Sequence, residues 1–89
     1  YYIALVTTAT RRNVERILEH FSLAELFDAV VTQEDVLHAK PDPFCYNMVI
    51  ERFGVDRSRC IIFEDSASGV AAALASGCQT LRVRKGAAL

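Results

Sequence analysis

The sequence predicts an α/β protein with a mostly parallel sheet and helices on its faces. Two observations indicate this fold: short apolar runs alternate with stretches of helical periodicity, and their spacing is near that of successive β-α units. The chain has 89 residues, a length that supports a single core. We therefore expect one domain in which strands and helices alternate.

The first half of the chain predicts two strands and one helix. Residues 1–6 form a continuous apolar run, typical of a strand that is covered on both faces. Thr10 is placed to cap the helix that follows, whose apolar face we expect to pack on the sheet. That face consists of Val14, Ile17, Leu18 and Phe21. Residues 29–32 form a second predicted strand, and residues 33–39 form a polar connection.

A proline-rich turn at Lys40 introduces the second predicted helix. We expect Pro41 to hold Lys40 in an extended conformation and Asp42 to cap the helix. Pro43 suits the first helical position, and Gly54 is a natural left-handed stop. The apolar face of this helix consists of Tyr46, Val49, Ile50 and Phe53.

The last third of the chain predicts two strands on either side of a helix. Residues 60–63 form the third strand, residues 66–76 the third helix and residues 79–83 the fourth strand. One face of this helix carries Val70, Ala73, Leu74 and Gly77, and its small residues allow close approach to a sheet. Residues 85–89 are expected to fray.

Composition argues against nucleic-acid and membrane partners. The net charge is −1, with 52% apolar and 24% charged residues, and no aromatic-basic stretch suggests stacked bases. No apolar run reaches the roughly 20 residues that a membrane helix needs. No signal-peptide pattern opens the sequence. We therefore expect a cytoplasmic protein.

The cysteines indicate reduced thiols rather than a metal site. Cys45, Cys60 and Cys78 are an odd number at wide spacing, without a C-x-x-C pair. Only His20 and His38 are available to join them, which is a poor match to structural zinc sites. We expect at least two of the thiols to be buried in or beside strands.

Polar residues follow three of the predicted strands where ligands bind to a parallel sheet, beyond the carboxyl ends of the strands. Thr7 follows the first strand, Lys40 lies on the loop after the second, and Glu64 and Asp65 follow the third. The two acids could hold Mg²⁺. Lys40 could neutralise a phosphate charge, and Thr7 could donate a hydrogen bond to its oxygens. This combination suits phosphoryl transfer.

Each of these residues also has an ordinary structural interpretation. Glu64 and Asp65 precede a helix, where acids favour the helix dipole. Thr7 could be a strand-end hydroxyl bonded to nearby backbone, and Lys40 a solvated surface lysine. The residue types alone therefore leave both interpretations open.

The order of the motifs favours the functional interpretation. The motifs are Leu5-Val6-Thr7-Thr8, then Lys40-Pro41-Asp42-Pro43, then Phe63-Glu64-Asp65-Ser66-Ala67-Ser68-Gly69-Val70 with Ala72, Ala73 and Gly77. Together they resemble the haloacid dehalogenase-like phosphohydrolases, particularly the β-phosphoglucomutase-like and sugar-phosphatase branch. The resemblance covers nearly the whole chain. It implies a Rossmann-like core with a Mg²⁺-dependent phosphatase or phosphomutase activity.

The resemblance also implies a role for each site residue. Thr7 is the hydroxyl of the second motif, and Lys40 is the third-motif lysine that binds the phosphoryl group and the nucleophile. These two are the implied catalytic residues, and with Thr8 they form the implied phosphate site. Asp65 and Glu64 are the implied magnesium ligands.

The sequence departs from the family pattern at the nucleophile. The family attacks phosphate with the first aspartate of an Asp-x-Asp motif on an upstream strand, and this chain contains no such motif. In the family that strand lies between those that here end at Thr7 and Phe63, and the helical cap domain is inserted before the second motif. We therefore expect residues 1–89 to be the C-terminal part of the core. Alone, the chain is expected to be inactive, and either unstable or completed by a missing N-terminal segment or another copy.

Three functions remain in competition. The first is a phosphatase or phosphomutase that acts on a small phosphorylated metabolite through an aspartyl-phosphate in the intact parent. The second is a non-catalytic truncated relative that serves as a binding or assembly module, supported by the absent nucleophile. The third, a receiver-type signalling domain, is disfavoured because its acids come first in the chain, whereas here they come last.

Overall fold

The computed structural model describes residues 1–84, in which strands and helices alternate as predicted. The strands are β1 (Ala4–Val6), β2 (Ala29–Val31), β3 (Ile61–Glu64) and β4 (Gln79–Arg82), and the helices are α1 (Arg11–His20), α2 (Phe44–Phe53) and α3 (Ala67–Ala75). Single turns of 3₁₀ helix lie at Ala24–Leu26, Gln33–Asp35 and Arg57–Arg59. The end expected to fray, residues 85–89, lies outside the described residues.

The strands of the described region pair in parallel, which confirms the predicted α/β class. β1 pairs with β2, with Leu5 opposite Val30, and β3 pairs with β4, with Ile62 opposite Thr80. Within residues 1–84 these are two separate two-stranded sheets, so β1 and β3 each keep one edge without a strand partner. The resemblance implies such an interruption between these two strands.

One hydrophobic core joins the two sheets. Its buried centre comes from α2 and α3 and consists of Cys45, Tyr46, Ala72 and Ala73. Val6 of β1 and Ile62 of β3 pack against this centre. The two strand pairs are therefore held together by the helices, even though no hydrogen-bonded strand bridges them within the described residues.

The first strand is shorter and less covered than predicted. Of residues 1–6 only Ala4–Val6 is a strand, and its side chains are partly buried. Tyr2 stacks on Phe53 with ring centroids 4.5 Å apart and stays largely exposed. The apolar run therefore mixes a short strand with aromatic packing at the surface.

Helix α1 begins as predicted but buries a narrower face. The Thr10 hydroxyl accepts a hydrogen bond from the Asn13 amide at 3.3 Å, which confirms the cap. Val14 and Leu18 are buried, whereas Ile17 and Phe21 are each more than half exposed. The prediction that all four pack on the sheet was wrong, because a two-stranded sheet covers only part of a helix face.

The start of α2 differs from the prediction by one residue. Pro43 occupies the position before the helix, and the Asp42 carboxylate accepts from the Phe44 amide at 2.8 Å. The Asp42 amide donates to the Ala39 carbonyl at 3.0 Å, so Lys40 lies within a turn. The Lys40–Pro41 peptide in this turn is cis.

The C-terminal end of α2 agrees with the prediction. The buried face of α3 differs from the predicted one. Gly54 ends α2 with φ of 64°, as expected of a left-handed stop. Ser66 caps α3, whose buried residues are Gly69, Ala72 and Ala73, while Leu74 is exposed. The smallest residues face the core because α2 lies close to them.

The three cysteines are free thiols. Cys45 and Cys78 are buried and Cys60 is partly buried. Cys78 directly precedes β4, whereas Cys45 lies on α2. Two thiols are therefore buried as expected, although one of them belongs to a helix.

Candidate functional site

The predicted site residues lie at the carboxyl ends of the parallel strands. Thr7 directly follows β1, and Lys40 lies on the connection between β2 and α2. Glu64 is the last residue of β3, and Asp65 links it to the capping residue of α3. Because parallel strands end on the same side of a sheet, the fold brings residues far apart in sequence to one edge.

Thr7, Thr8 and Lys40 line the same cleft, which has a volume of about 280 Å³. The rest of its lining consists of Val6, Gln33, Val36, Leu37, Ala39 and Cys45. The Thr7 hydroxyl oxygen accepts a hydrogen bond from the Ala9 amide at 3.2 Å, which leaves its proton able to donate. The cleft thus combines a hydroxyl donor with an ammonium group, a pair suited to an oxyanion.

The Lys40 ammonium is held by a nearly buried ion pair. Its Nζ donates to Oε2 of Glu64 at 2.8 Å, and the two side chains are 8% and 10% exposed. This contact spans residues 24 apart in sequence and joins the β2–α2 connection to the end of β3. A lysine on a flexible four-carbon chain is thereby directed to one place.

Tyr46 of α2 completes this arrangement and was missed as a site residue by the sequence reasoning, which assigned it only to the apolar face of its helix. Its hydroxyl donates to the same Glu64 oxygen as Lys40, and the Lys40 Nζ lies 5.2 Å from the centroid of its ring. Burial, followed by the hydrogen bond to Glu64, raises the pKa of Tyr46. The available signal was the hydroxyl itself, because a buried tyrosine needs a polar partner.

The Glu64 carboxylate is also fixed from the side of α3. Its Oε1 accepts from the Asp65 amide at 3.1 Å and from the Ser66 hydroxyl at 3.4 Å. Burial by itself raises the pKa of Glu64, but the hydrogen bonds from Lys40 and Tyr46, together with the Lys40 charge, lower it to about 2. The side chain is therefore ionised at neutral pH.

Gly69 makes room for this carboxylate. A Cβ atom at position 69 would overlap the side-chain carboxyl carbon of Glu64. The glycine lies in the first turn of α3, where the Ser66 hydroxyl accepts from its amide at 3.0 Å. Its role is to let Glu64 lie against the start of the helix.

Asp65 is placed differently from Glu64. It is exposed and lines a second cleft, of about 410 Å³, with Arg82, Val83 and Arg84. Within residues 1–84 its carboxylate accepts no hydrogen bond, whereas both oxygens of Glu64 are engaged. The predicted pairing of these acids as metal ligands remains a prediction, with Asp65 the more accessible group.

The accessible acid fits part of a magnesium site. Mg²⁺ is usually bound by one or two carboxylates, waters and substrate phosphate oxygens, and the exposed Asp65 carboxylate meets that requirement. In the described part of the chain, no cluster of three or more His, Cys, Asp or Glu side chains could hold a metal alone. Any magnesium at this edge would therefore need oxygens from other sources.

The fold and the motif order define the class of the protein. The model of the haloacid dehalogenase-like hydrolase family matches residues 1–83, which is nearly all of the described region. The chain belongs to this family, and the predicted resemblance is confirmed.

Curated relatives include two bacterial phosphatases. The fructose-1-phosphate phosphatase YqaB of Escherichia coli is 37% identical over 92% of this chain and 44% of its own length. A phosphorylated-carbohydrates phosphatase of Thermotoga maritima is 37% identical over 89% of this chain and 37% of its own length. The chain therefore spans less than half the length of these relatives.

Solved structures agree with the sequence comparison. A Thermotoga maritima protein proposed to be a β-phosphoglucomutase has a TM-score of 0.90 at 34% identity, covering 98% of this chain and 41% of its own. CbbY of Rhodobacter sphaeroides, crystallised with phosphate, has a TM-score of 0.87 at 28% identity, covering 94% and 39% of the two chains. These similarities confirm the α/β core fold of the family.

None of the helices within residues 1–84 combines the length and the apolar character that crossing a membrane requires.

Proposed function

We propose that this chain is part of a phosphatase or phosphomutase that acts on a small phosphorylated metabolite. The observation that carries the proposal is the cleft that Thr7, Thr8 and Lys40 line together at the strand ends. The proposal is supported by relatives that are named phosphatases and by a relative crystallised with phosphate.

In this proposal Lys40 and Thr7 bind and orient the phosphoryl group. One N–H of the Lys40 ammonium is directed to Glu64, which leaves two donors for phosphate oxygens. The Thr7 proton and the exposed Thr8 provide further polar contacts at the cleft. Because phosphoryl transfer depends mainly on positioning and charge compensation, these groups suit the reaction.

Asp65 is the proposed ligand of Mg²⁺, with the Glu64 carboxylate as a neighbouring negative charge. The metal ion, when bound, would neutralise charge on the phosphate oxygens. Glu64 has a second task in the proposal, since it holds the Lys40 ammonium at the cleft.

The attacking group in the proposal is an aspartate of the intact protein outside this chain. The cleft lining contains no carboxylate within the described residues, and the sequence has no Asp-x-Asp motif. We therefore propose that residues 1–89 form the C-terminal part of the catalytic core and do not turn over substrate alone. Reaction through an aspartyl-phosphate then belongs to the intact protein.

The test uses Lys40→Ala and Asp65→Asn in the intact protein, with release of phosphate from small sugar phosphates as the measurement. Each should reduce kcat/KM by at least about a hundredfold, the loss typical of a removed electrostatic contact to the transferring group. Arg52→Ala and Glu51→Gln are matched controls, because both side chains are exposed on α2. Unchanged turnover in both site variants would overturn the proposal.

A non-catalytic binding or assembly module is the second candidate, and the absent Asp-x-Asp motif favours it. The two candidates differ in the sequence encoded upstream of Tyr1. An apolar strand followed by Asp-x-Asp there, together with turnover, supports the enzyme. Phosphate binding without turnover in the intact protein supports the module.

The proposal also includes the partners expected from the sequence. A strand from outside this chain, or from another copy, would pair with the open edges of β1 and β3. Nucleic acid and membranes are not expected partners, and the proposed location is the cytoplasm. Sedimentation of the 89-residue chain across a concentration series tests self-association, and a strictly monomeric, cooperatively unfolding species would contradict it.

A further inference from the structure

Tyr46 contacts the proposed phosphate site from the interior of the protein. Its ring is buried within the core cluster of α2 and α3, so the position of the hydroxyl is set by core packing. That hydroxyl reaches Glu64, which ends β3. A rigid core residue is thus bonded directly to a side chain at the functional edge.

The Glu64 carboxylate is the meeting point of two donors. Lys40 and Tyr46 donate to the same oxygen, while the other oxygen accepts from the start of α3. With only the lysine and the backbone as partners, the carboxylate could turn about its terminal torsion, which is broad. The tyrosine hydroxyl adds a further restraint on the carboxylate, and this restraint comes from the buried core.

Tyr46 also acts on Lys40 through its ring. The ammonium lies 5.2 Å from the ring centroid, within the distance at which a cation is attracted to an aromatic face. Tyr46 therefore contacts both members of the ion pair, Glu64 through its hydroxyl and Lys40 through its ring.

We infer that Tyr46 is a positioning residue of this site: its hydroxyl fixes the Glu64 carboxylate and, through it, the Lys40 ammonium at the cleft lined by Thr7. The inference rests on the proposed phosphate site for its functional meaning. Tyr46 itself need not touch substrate, since it does not belong to the cleft lining.

Tyr46→Phe in the intact protein isolates the hydroxyl, because phenylalanine keeps the ring and the core volume. The first measurement is the rate of proton exchange of the Lys40 ammonium with water, observed by ¹⁵N NMR. We expect this exchange to accelerate by roughly three- to tenfold, since the ammonium loses a fixed acceptor. Tyr2→Phe is the matched control, because Tyr2 is exposed and stacks on Phe53 away from the site.

The second measurement is the dissociation constant of inorganic phosphate by calorimetry, in a double-mutant cycle with Lys40→Ala. Tyr46→Phe should weaken binding by roughly three- to tenfold when Lys40 is present and by less than about twofold when it is absent. An equal loss in both backgrounds would show that Tyr46 does not act through Lys40 and would overturn the inference.

Different results would contradict the proposed function and the positioning role of Tyr46. If the wild-type protein binds no phosphate, the proposed function is wrong, while the exchange rate of the Lys40 ammonium still tests the positioning role. An unchanged exchange rate in Tyr46→Phe overturns the inference whatever the phosphate result. If Tyr46→Phe does not fold, the hydroxyl proton of Tyr46 is observed by NMR in the wild-type protein instead. A slowly exchanging proton supports the bond to Glu64, and a freely exchanging one overturns the inference.

Discussion

The two strand pairs differ in how well their side chains are covered. In β2 of the first pair Ala29 and Val31 are 7% and 3% exposed, whereas in β3 of the second pair Ile61 and Phe63 are 54% and 66% exposed. One face of β3 packs on the core through Ile62, and the alternate face is left open. Parallel sheets are normally covered on both faces, so the second pair is the less protected half.

This difference shows how the site is supported. Lys40 belongs to the connection that leaves the well-covered pair, and Glu64 belongs to the open one. Their ion pair therefore connects the covered strand pair to the exposed one, in addition to its place in the candidate site. Substitutions can test whether this ion pair, the packing of Gly69 against Glu64 or the exposed face of β3 contributes most to the free energy of unfolding.

Loss of the Lys40–Glu64 ion pair should cause the largest loss of stability. Lys40→Met leaves Glu64 with a nearly buried, uncompensated charge, so we expect the free energy of unfolding to fall by about 3–5 kcal/mol. Arg11→Met is the comparison, because the Arg11–Asp35 pair is more exposed and should cost about 1 kcal/mol or less. Urea unfolding measures both, and equal losses would show that the buried pair has no special role.

Gly69→Ala should have the next largest effect. Alanine favours a helix over glycine by about 1 kcal/mol, but its Cβ would overlap the Glu64 carboxyl group. Overpacking typically costs about 1–3 kcal/mol, so we expect net destabilisation and displacement of Glu64 from Lys40. Ser68→Ala, at an exposed neighbouring position, is the control, and thermal unfolding is the measurement. A more stable Gly69→Ala protein would contradict the close contact.

Acid should weaken the Lys40–Glu64 ion pair within a defined pH range. The folded-state pKa of Glu64 is lowered to about 2 from its ordinary value of 4.5. A depressed pKa contributes stability above the unfolded value, which is lost as pH falls through the folded value. In metal-free buffer we expect a loss between about pH 4.5 and pH 2 that is absent from Glu64→Gln. Parallel curves for the two proteins would argue against this ionisation.

Substitution on the exposed face of β3 should change the free energy of unfolding least. Phe63→Ser removes an exposed ring, so the free energy of unfolding should change by about 0.5 kcal/mol or less. Val31→Ala removes buried methyl groups from the covered pair and should cost about 1–2 kcal/mol. Chemical unfolding of both variants under the same conditions tests this ranking. A larger loss from Phe63→Ser would mean that β3 is covered in solution.

Much of the fold follows from local sequence rules. Thr10 and Gly54 mark a helix start and stop through bonds or dihedrals that depend on the residues nearby. The exposure of Ile17 and Phe21 was not predictable in this way, because it depends on how wide a sheet lies beneath α1. Helical periodicity identifies an apolar face but not the extent of the surface that covers it.

The site was predictable in its parts but not in its connections. Strand ends and motif order predict Thr7, Lys40 and Asp65 as candidate site residues. The bond from Tyr46 to Glu64 joins residues 18 apart, and nothing in the local pattern of α2 distinguishes this tyrosine from an ordinary core residue. The different environments of Glu64 and Asp65 likewise depend on tertiary contacts.

The contact between Gly69 and Glu64 links the identities of two positions in the sequence. A side chain at position 69 is excluded only while the long carboxylate at position 64 lies across the start of α3. A shorter acid at position 64 would reach less far and leave space for a methyl group. We therefore expect these positions to vary together among related sequences, with larger residues at 69 accompanying shorter acids at 64.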